Sequence, residues 1–230
     1  MIKVLTLVIS CRKNKALWKD ILEKEITNMI IVCGGELETD FLLEGKILFL
    51  NCKDTYDGLP EKIVCAHTAI SRLHAFDEIT HILKIDDHDT TVTEDCIKKL
   101  EKHGSSLLMN NPYIGQHIYS KCIGGHHIGM CPGSNWNNRL YEGDSTPYAS
   151  GGFSYILDRF ASRKIVEEYS IYDLERIREQ HIYEDLMVAL ILKKHNIEPI
   201  KAYYGVESTD VAYRNLVPVE VKISFLSLSR

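Results

Sequence analysis

Two patterns of apolar residues alternate along the first hundred positions. Continuous apolar runs of strand length, typical of strands buried on both faces, predict strands over 2–10, 28–35, 46–52 and 80–85. Between these runs the apolar residues recur at intervals of three and four, which predicts helices over 15–26 and 59–76, with Pro60 in the first turn of the second. Strands that alternate with helices indicate an α/β fold with a mostly parallel central sheet flanked by helices.

The second half of the chain is less regular. Thr93 offers an N-cap for a helix that Gly104 ends. From about 110 to 150 the helical period is lost and Gly, Asn, Tyr and His are frequent, so we expect short strands and long loops there. A further helix is predicted over 183–197 because its apolar spacing is helical and its last turn is basic. The alternating tail at 217–230 fits either an edge strand or an interface.

Composition narrows the class of protein. The 230 residues include 45% hydrophobic and 26% charged residues, which is ordinary for a soluble globular protein. The net charge of −5 argues against a nucleic-acid partner, and no run approaches the roughly 18 apolar residues of a transmembrane segment. The seven cysteines are odd in number and form no CxxC pair, which favours reduced, buried thiols. We therefore expect a cytoplasmic protein.

The stretch HILKIDDHDTTV, residues 81–92, carries the strongest chemical signal. Asp86, Asp87, His88 and Asp89 follow a predicted strand directly, and parallel sheets bind ligands at the carboxyl ends of their strands. Carboxylates suit Mg²⁺ and Mn²⁺, and the imidazole suits Mn²⁺ better. A metal on a diphosphate serves either the transfer of the group that the phosphate carries or cleavage of the phosphate itself. A solvated turn is the alternative interpretation.

Four segments, in this order, resemble the β-1,3-galactosyltransferase and Fringe family of inverting glycosyltransferases. DTYDGLPEK (54–62) is similar to that family's Asp-x-Tyr-x-x-Leu-x-x-Lys, and KIDDHD (84–89) to its Lys-x-Asp-Asp-Asp metal motif. PYASGGFSYILD (147–158) is similar to its Pro-Tyr-x-Ser-Gly-Gly-x-x-Tyr-x-Leu segment, and YEDLMVALIL (183–192) to its Glu-Asp-Val-x-x-Gly segment. Each motif is weak alone, whereas the ordered set spans most of residues 1–200.

The resemblance implies a GT-A fold, that is, a single Rossmann-like domain with a nucleotide-binding half over about 1–110 and an acceptor-binding half over about 111–230. It also implies a metal-dependent inverting glycosyltransferase that uses Mn²⁺ or Mg²⁺. The partners would be a nucleotide-sugar donor, UDP-linked, and a glycan or glycoconjugate acceptor. The absence of a membrane-anchored stem differs from the Golgi members, and suggests a bacterial or large-virus enzyme or one module of a longer protein.

The resemblance assigns roles to particular residues. Asp185 matches the catalytic base, and the helix dipole at a first turn favours its ionised form. Gly151 and Gly152 would let the backbone approach a sugar closely. The full set expected to bind the donor is Arg12, Lys13, Asp54, Lys84, Asp86, Asp87, Gly151 and Gly152. The expected metal ligands are Asp87, His88 and Asp89.

Two departures from the family's pattern leave the metal site open. Either His88 replaces the third aspartate, or the working pair is Asp87 and Asp89, with Asp89 as the direct ligand; we favour the second arrangement. The family often supplies a late histidine ligand, but none follows His195 here. Candidates by residue type alone are His126, His127 and His181.

Several alternatives follow from the residues themselves. Arg12 and Lys13 are equally consistent with a solvated loop, while Asp54 and Tyr56 fit a structural tie better than nucleotide contact. Aromatic residues that would either stack on a sugar or pack in the core are Trp136, Tyr141 and Tyr148. At the level of function, a metal-dependent phosphohydrolase or nucleotidyltransferase, or a non-catalytic sugar-binding domain of the same fold, remains an alternative.

Overall fold

The structure is a computed structural model that describes residues 1–88 and 90–208. Its strands are β1 (Val4–Ile9), β2 (Met29–Gly35), β3 (Phe41–Glu44), β4 (Ile47–Asn51), β5 (His81–Asp86), β6 (Thr90–Thr91), β7 (Tyr113–Gly115), β8 (Ile118–Tyr119), β9 (Tyr148–Ala149), β10 (Tyr155–Asp158), β11 (Ile200–Lys201) and β12 (Glu207–Ser208). Its α-helices are α1 (Lys15–Leu22), α2 (Leu59–Arg72), α3 (Glu94–His103), α4 (Ser105–Asn110), α5 (Arg159–Glu168), α6 (Leu174–Gln180) and α7 (Glu184–Lys193).

Eight of these strands form one central sheet in the order β11-β7-β10-β5-β1-β2-β4-β3. The central strands β4, β2, β1 and β5 are parallel to one another, and β11 is parallel to β7. Strand β10 runs antiparallel to both neighbours, and β3 runs antiparallel to β4. The predicted α/β class with a mostly parallel sheet is therefore confirmed, and the order is compatible with a Rossmann-like fold.

Both faces of the sheet are covered, because successive side chains of a strand point to opposite faces. In β1, Leu5, Leu7 and Ile9 belong to a core that includes residues of α2, α5 and α7. Val4 and Val8 belong to a second core on the other face, with residues of α1 and α3. Burial on both faces explains why the predicted strands read as continuous apolar runs rather than as alternating ones.

The predicted helices form, although three of them are shorter than their patterns. α7, predicted over 183–197, ends at Lys193. α1 ends at Leu22, and Glu25 has a φ angle of 51°, which a helix does not accommodate. α2 ends at Arg72 because Leu73 is extended, and a 3-10 turn at His74–Phe76 follows. The helix predicted after Thr93 is confirmed together with its cap, since the Thr93 hydroxyl accepts a hydrogen bond from the backbone N–H of Cys96.

Strand β3 was not predicted from the sequence. It pairs with β4 through a two-residue connection, Gly45 and Lys46, in which Gly45 has a φ angle of 58°. Glycine adopts this conformation at little cost, which is why it occupies such hairpin turns. β3 alternates half-buried and exposed side chains, as expected for a strand at the edge of the sheet.

Two further expectations can be compared with the described part of the chain. No helix within residues 1–88 and 90–208 has both the length and the apolar character needed to span a membrane. The seven cysteines are all unpaired thiols; five are buried, and Cys11 and Cys122 are half-buried. The alternating segment predicted over 217–230 lies outside the described residues.

Candidate functional site

The acidic run lies where the carboxyl ends of two central strands meet. β5 ends at Asp86, which is in register with Ile9 at the end of β1. The backbone N–H of Asp87 continues the pairing by donating a hydrogen bond to the Ile9 carbonyl at 3.1 Å. The run therefore has the expected position at the ligand-binding edge of a parallel sheet.

Asp87 is held firmly at this edge. Its side chain is only 3% exposed. One carboxylate oxygen, Oδ2, accepts hydrogen bonds from Ser10 Oγ at 2.6 Å and Asn14 Nδ2 at 2.9 Å. The other, Oδ1, lies 2.6 Å from His88 Nδ1. Asp89, predicted to be the direct metal ligand, lies outside the described residues.

Asp86 and Lys84 point to the other side of the same strand end. Lys84 is buried, and its ammonium donates to Asp86 Oδ1 at 2.7 Å and to the Gly151 carbonyl at 2.7 Å. The same nitrogen lies 2.8 Å from Glu184 Oε1. Burial lowers the pKa of Lys84, but the two carboxylates outweigh burial and raise the pKa above its ordinary value. Lys84 is therefore a permanent cation that joins three distant segments.

Glu184 is the buried member of the predicted base segment. Besides Lys84, its carboxylate accepts a hydrogen bond from the Tyr155 hydroxyl at 3.0 Å. Burial raises the pKa of Glu184 to about 7, Lys84 opposes the rise, and the neighbouring Asp185 adds to it. Glu184 thus titrates near neutral pH, although both of its oxygens are already occupied.

Asp185 lies in the first turn of α7, as predicted. Its Oδ2 accepts a hydrogen bond from the backbone N–H of Gly151 at 2.9 Å, and its Oδ1 one from Leu186 N–H at 2.8 Å. Burial raises the pKa of Asp185 above its ordinary value, and the Gly151 hydrogen bond opposes that shift. Asp185 is half-buried, and in its ionised form its carboxylate can accept a proton from a bound hydroxyl.

The two glycines of the predicted segment differ in their surroundings. A Cβ atom on Gly151 would collide with Glu184 Oε1 and would lie 3.2 Å from the Asp185 Cβ. A Cβ atom on Gly152 would come no closer than 3.8 Å to any side chain, that of Asp86. Gly151 is therefore required for close packing against the base segment, whereas Gly152 leaves open space beside Asp86.

These groups form the floor of one cleft with a volume of about 310 Å³. The floor consists of Lys84, Asp86, Glu184 and Asp185. The walls carry four tyrosines, namely Tyr56, Tyr119, Tyr148 and Tyr183. The outer part is lined by Cys122, Ile123, His126 and Met130. The 16 lining residues include four to which the sequence assigns a role, Lys84, Asp86, Gly152 and Asp185, and three whose role it leaves open, Tyr56, Tyr148 and His126. Glu184 lines the cleft without a predicted role of its own.

Five of the eight predicted donor-binding residues are not among those that line this cleft, namely Arg12, Lys13, Asp54, Asp87 and Gly151. Arg12 and Lys13 are exposed after β1, and the Arg12 guanidinium lies against Gly35 at the end of β2. The Asp54 carboxylate accepts hydrogen bonds from Arg12 N–H at 2.7 Å and Gly34 N–H at 2.8 Å. Lys62 Nζ also donates to it at 2.7 Å. Asp54 therefore ties strand ends together, as the structural interpretation of this residue required.

Most of the aromatic and histidine candidates are internal. Trp136 and Tyr141 are buried, and the Trp136 indole donates to the Arg178 carbonyl at 2.7 Å; only Tyr148 of the three aromatic candidates lines the cleft. His127 is buried and lies 2.6 Å from the Tyr183 hydroxyl. His181 lies 2.7 Å from the Tyr169 hydroxyl, and burial lowers its pKa to about 4. Of the three late histidine candidates, only His126 lines the cleft.

The donor types at the sheet edge suit the expected metal. Asp86, Asp87 and His88 offer oxygen and nitrogen atoms of the kind that bind Mn²⁺, beside an excess of negative charge. Across residues 1–88 and 90–208, however, no group of three or more His, Cys, Asp or Glu side chains is arranged to hold a metal ion. The assignment of Asp87, His88 and Asp89 as ligands therefore stays a prediction that depends on Asp89.

Comparison with known proteins adds no identification. The chain matches no protein-family model and no curated protein. The resemblance drawn from the four sequence segments accordingly stays a prediction, and the geometry of the cleft has to carry the functional argument.

Proposed function

We propose that the protein is a metal-dependent inverting glycosyltransferase that moves a sugar from a UDP-linked donor to a hydroxyl of a glycan or glycoconjugate. One observation carries the proposal. Three segments far apart in the sequence contribute to one cleft: Lys84 and Asp86 at the end of β5, Ser150 and Gly152 before β10, and Glu184 and Asp185 at the start of α7. An acidic strand end and the acidic start of α7 in one cleft suit a reaction in which one carboxylate group serves the donor and another the acceptor.

The proposed chemistry requires one base and one leaving group. Asp185 would take the proton of the acceptor hydroxyl while that oxygen attacks the anomeric carbon of the donor. The bond from the anomeric carbon to the diphosphate oxygen breaks, and UDP leaves with the electron pair. Attack from the face opposite the diphosphate inverts the configuration, as in other single-displacement reactions at sugars.

The acidic run would serve the leaving diphosphate. Mn²⁺ or Mg²⁺, bound by Asp87, His88 and Asp89, would supply positive charge that stabilises the departing diphosphate. The protein's own contribution is to fix the orientation of Asp87, which the hydrogen bonds from Ser10 and Asn14 do. Such restraint of a metal-binding carboxylate is typical of metal sites.

A non-catalytic sugar-binding domain is the second candidate. The tyrosine-lined cleft would suit it equally, and the described residues contain no group of three metal-binding side chains. For the phosphohydrolase or nucleotidyltransferase alternative, no comparable observation emerges from the described residues. The two leading candidates differ in one property, the ability to transfer a sugar.

Nucleotide binding provides the first test. We would measure thermal unfolding with UDP, GDP, CMP and dTDP, each with Mn²⁺ and with a chelator. A ligand that binds only the folded state, at about 100 times its dissociation constant, adds roughly 2.7 kcal/mol to the free energy of unfolding. We expect stabilisation by UDP that requires Mn²⁺. Stabilisation by another nucleotide would change the donor, and no stabilisation by any of them would contradict the proposal.

Replacement of Asp185 by Asn separates the two candidates. Loss of a general base is expected to reduce transfer from a UDP-sugar by about 10²–10⁴-fold. Stabilisation by UDP with Mn²⁺ should be unchanged, because Asp185 is not among the proposed donor ligands. Asp20→Asn, at an exposed position of α1, is the matched control and should retain full activity. Unchanged transfer by Asp185→Asn would show that the base is another residue.

A further inference from the structure

The charges that line the cleft favour an uncharged acceptor. Three carboxylates, Asp86, Glu184 and Asp185, line the cleft, and Lys84 is the one lysine or arginine found among the described lining residues. Lys84 is already paired with Asp86 and Glu184. The surplus charge is therefore negative, and it would repel an acceptor that carried a carboxylate or phosphate group.

The walls of the cleft suit the ring of a sugar. Tyr119 and Tyr148 are opposite each other in the antiparallel pair of strands β8 and β9, with their ring centroids 5.4 Å apart. Tyr56 and Tyr183 line the same cleft as Asp185, so four tyrosines contribute to its lining. Aromatic side chains with a polar tip combine an apolar contact surface with hydrogen bonding, which a sugar with CH faces and hydroxyls requires.

Exposed apolar residues also contribute to the cleft. Ile123 and Met130 line it, although their side chains are 70% and 48% exposed. Ile128 and Leu140, both bordering Gly125 in the same turn region, are 47% and 54% exposed. We call these four residues the apolar rim. Exposed apolar side chains that lie together beside a cleft are typical of a binding surface.

The apolar rim is held in place by its backbone. The Tyr183 hydroxyl donates a hydrogen bond to the Ile123 carbonyl at 3.0 Å. Tyr141 N–H donates to the Gly124 carbonyl at 2.8 Å. Tyr183 and Tyr141 also contact each other, with ring centroids 5.6 Å apart. The rim is thus a supported surface, continuous with the cleft, rather than an isolated loop.

We infer that the acceptor is a neutral sugar that carries an apolar aglycone. The sugar lies between the tyrosines with a hydroxyl at Asp185, and the aglycone lies on the apolar rim. This inference rests on the proposed function, because it takes Asp185 as the group that faces the acceptor hydroxyl. Its direct support is that carboxylates, tyrosines and exposed aliphatic side chains contribute to the lining of one cleft.

The test compares pairs of glycosides that differ only in the aglycone. Dissociation constants of methyl and hexyl β-glycosides of glucose, galactose and N-acetylglucosamine are measured by saturation-transfer NMR, below the concentration at which micelles form. For the sugars that bind, the hexyl member is expected to bind about tenfold more tightly, which corresponds to about 1.4 kcal/mol. Methyl β-glucuronide, which carries a carboxylate, is expected to bind several-fold more weakly than methyl β-glucoside.

Two exposed positions provide the decisive variant. The double substitution Ile123→Ser with Met130→Ser should reduce the hexyl preference to about twofold and leave methyl glycoside binding unchanged. Because both side chains are exposed, folding should be unaffected. Met109→Ser, at a position 74% exposed on α4 and outside the cleft lining, is the control and should keep the full preference.

Several outcomes would overturn the inference. They are equal affinity for methyl and hexyl members, a hexyl preference that survives the double substitution, tighter binding of the glucuronide, and no binding by any glycoside. The measurement needs neither donor nor metal. If UDP does not stabilise the protein but hexyl glycosides still bind more tightly than methyl glycosides, the proposed function alone is overturned. If UDP stabilises the protein but hexyl and methyl glycosides bind equally, only the apolar aglycone is overturned.

Discussion

Two buried lysines, one in α2 and one in β5, make similar contacts but have different roles. Lys62 and Lys84 are each only 2% exposed in their side chains. Lys62 donates to the Ser10 carbonyl at 2.7 Å and pairs with Asp54 at 2.7 Å. Lys84 donates to the Gly151 carbonyl and pairs with both Asp86 and Glu184. Each ammonium joins segments that are distant in the sequence.

The difference lies in what surrounds the carboxylates. Asp54 also receives two backbone N–H groups, so its charge is fully compensated, and neither it nor Lys62 lines the cleft. Around Lys84, two carboxylates share one ammonium, and Asp185 adds a third negative charge in the same cleft. A buried ion pair that is complete holds the fold together, whereas a surplus of charge beside an open cleft is available to a ligand.

The largest expected effect comes from removing each ammonium in turn. Lys84→Met leaves two carboxylates without their cation, and loss of one partner of such a buried pair costs about 3–5 kcal/mol. Lys62→Met leaves Asp54 with its two backbone donors, so a smaller loss of about 1–3 kcal/mol is expected. Urea unfolding of both variants measures the difference. Equal losses would mean that the surplus charge around Lys84 does not distinguish the two sites.

The pH dependence of Glu184 is the next effect. The pKa of Glu184 is raised from 4.5 to about 7 by burial, so the folded protein binds its proton at a higher pH than the unfolded chain does. This contribution to stability is therefore present below pH 4.5 and is lost as the pH rises to about 7. Glu184→Gln cannot titrate. The free energy of unfolding of Glu184→Gln, relative to that of the natural protein, should therefore increase by about 3 kcal/mol between pH 4.5 and pH 7.

Urea unfolding at several pH values between 4.5 and 7 measures this gain. Glu142→Gln, which makes the same substitution at an exposed position outside the cleft lining, is the control. Parallel profiles for Glu184→Gln and the natural protein would show that Lys84 compensates Glu184 as completely as Lys62 compensates Asp54.

Much of the fold can be predicted from the sequence because buried strands and helices have recognisable patterns of apolar residues. The central strands lie between two layers of helices and read as apolar runs, and α2 and α7 were recognisable from spacing and termini. β3 escaped prediction because it is a half-exposed edge strand of four residues. The helix ends escaped because they depend on single backbone angles, as at Glu25.

The candidate site was predictable only in part. Lys84 and Asp86 are two residues apart on one strand, so period-two alternation places them on the same face, with the next residue, Asp87, turned elsewhere. The motifs named both aspartates as donor-binding, but which of them faces the cleft depends on Gly151 and Glu184, which come from other parts of the chain. The tyrosine walls were largely missed for the same reason, since Tyr119 and Tyr183 have no local pattern that marks a binding residue.

The smallest effect compares the two adjacent glycines beside Lys84. Neither has a positive φ angle, so alanine is acceptable to the backbone at both positions, and only the space for a Cβ atom differs. Gly151→Ala would press on the carboxylate of Glu184 and should cost about 1–3 kcal/mol of unfolding free energy. Gly152→Ala meets nothing closer than 3.8 Å and should cost less than about 0.5 kcal/mol. Urea unfolding of both variants tests this, and Gly152→Ala is the matched control for Gly151→Ala. Equal, small losses would mean that the Glu184 side chain moves aside readily, and so that Lys84 does not hold it as rigidly as Lys62 holds Asp54.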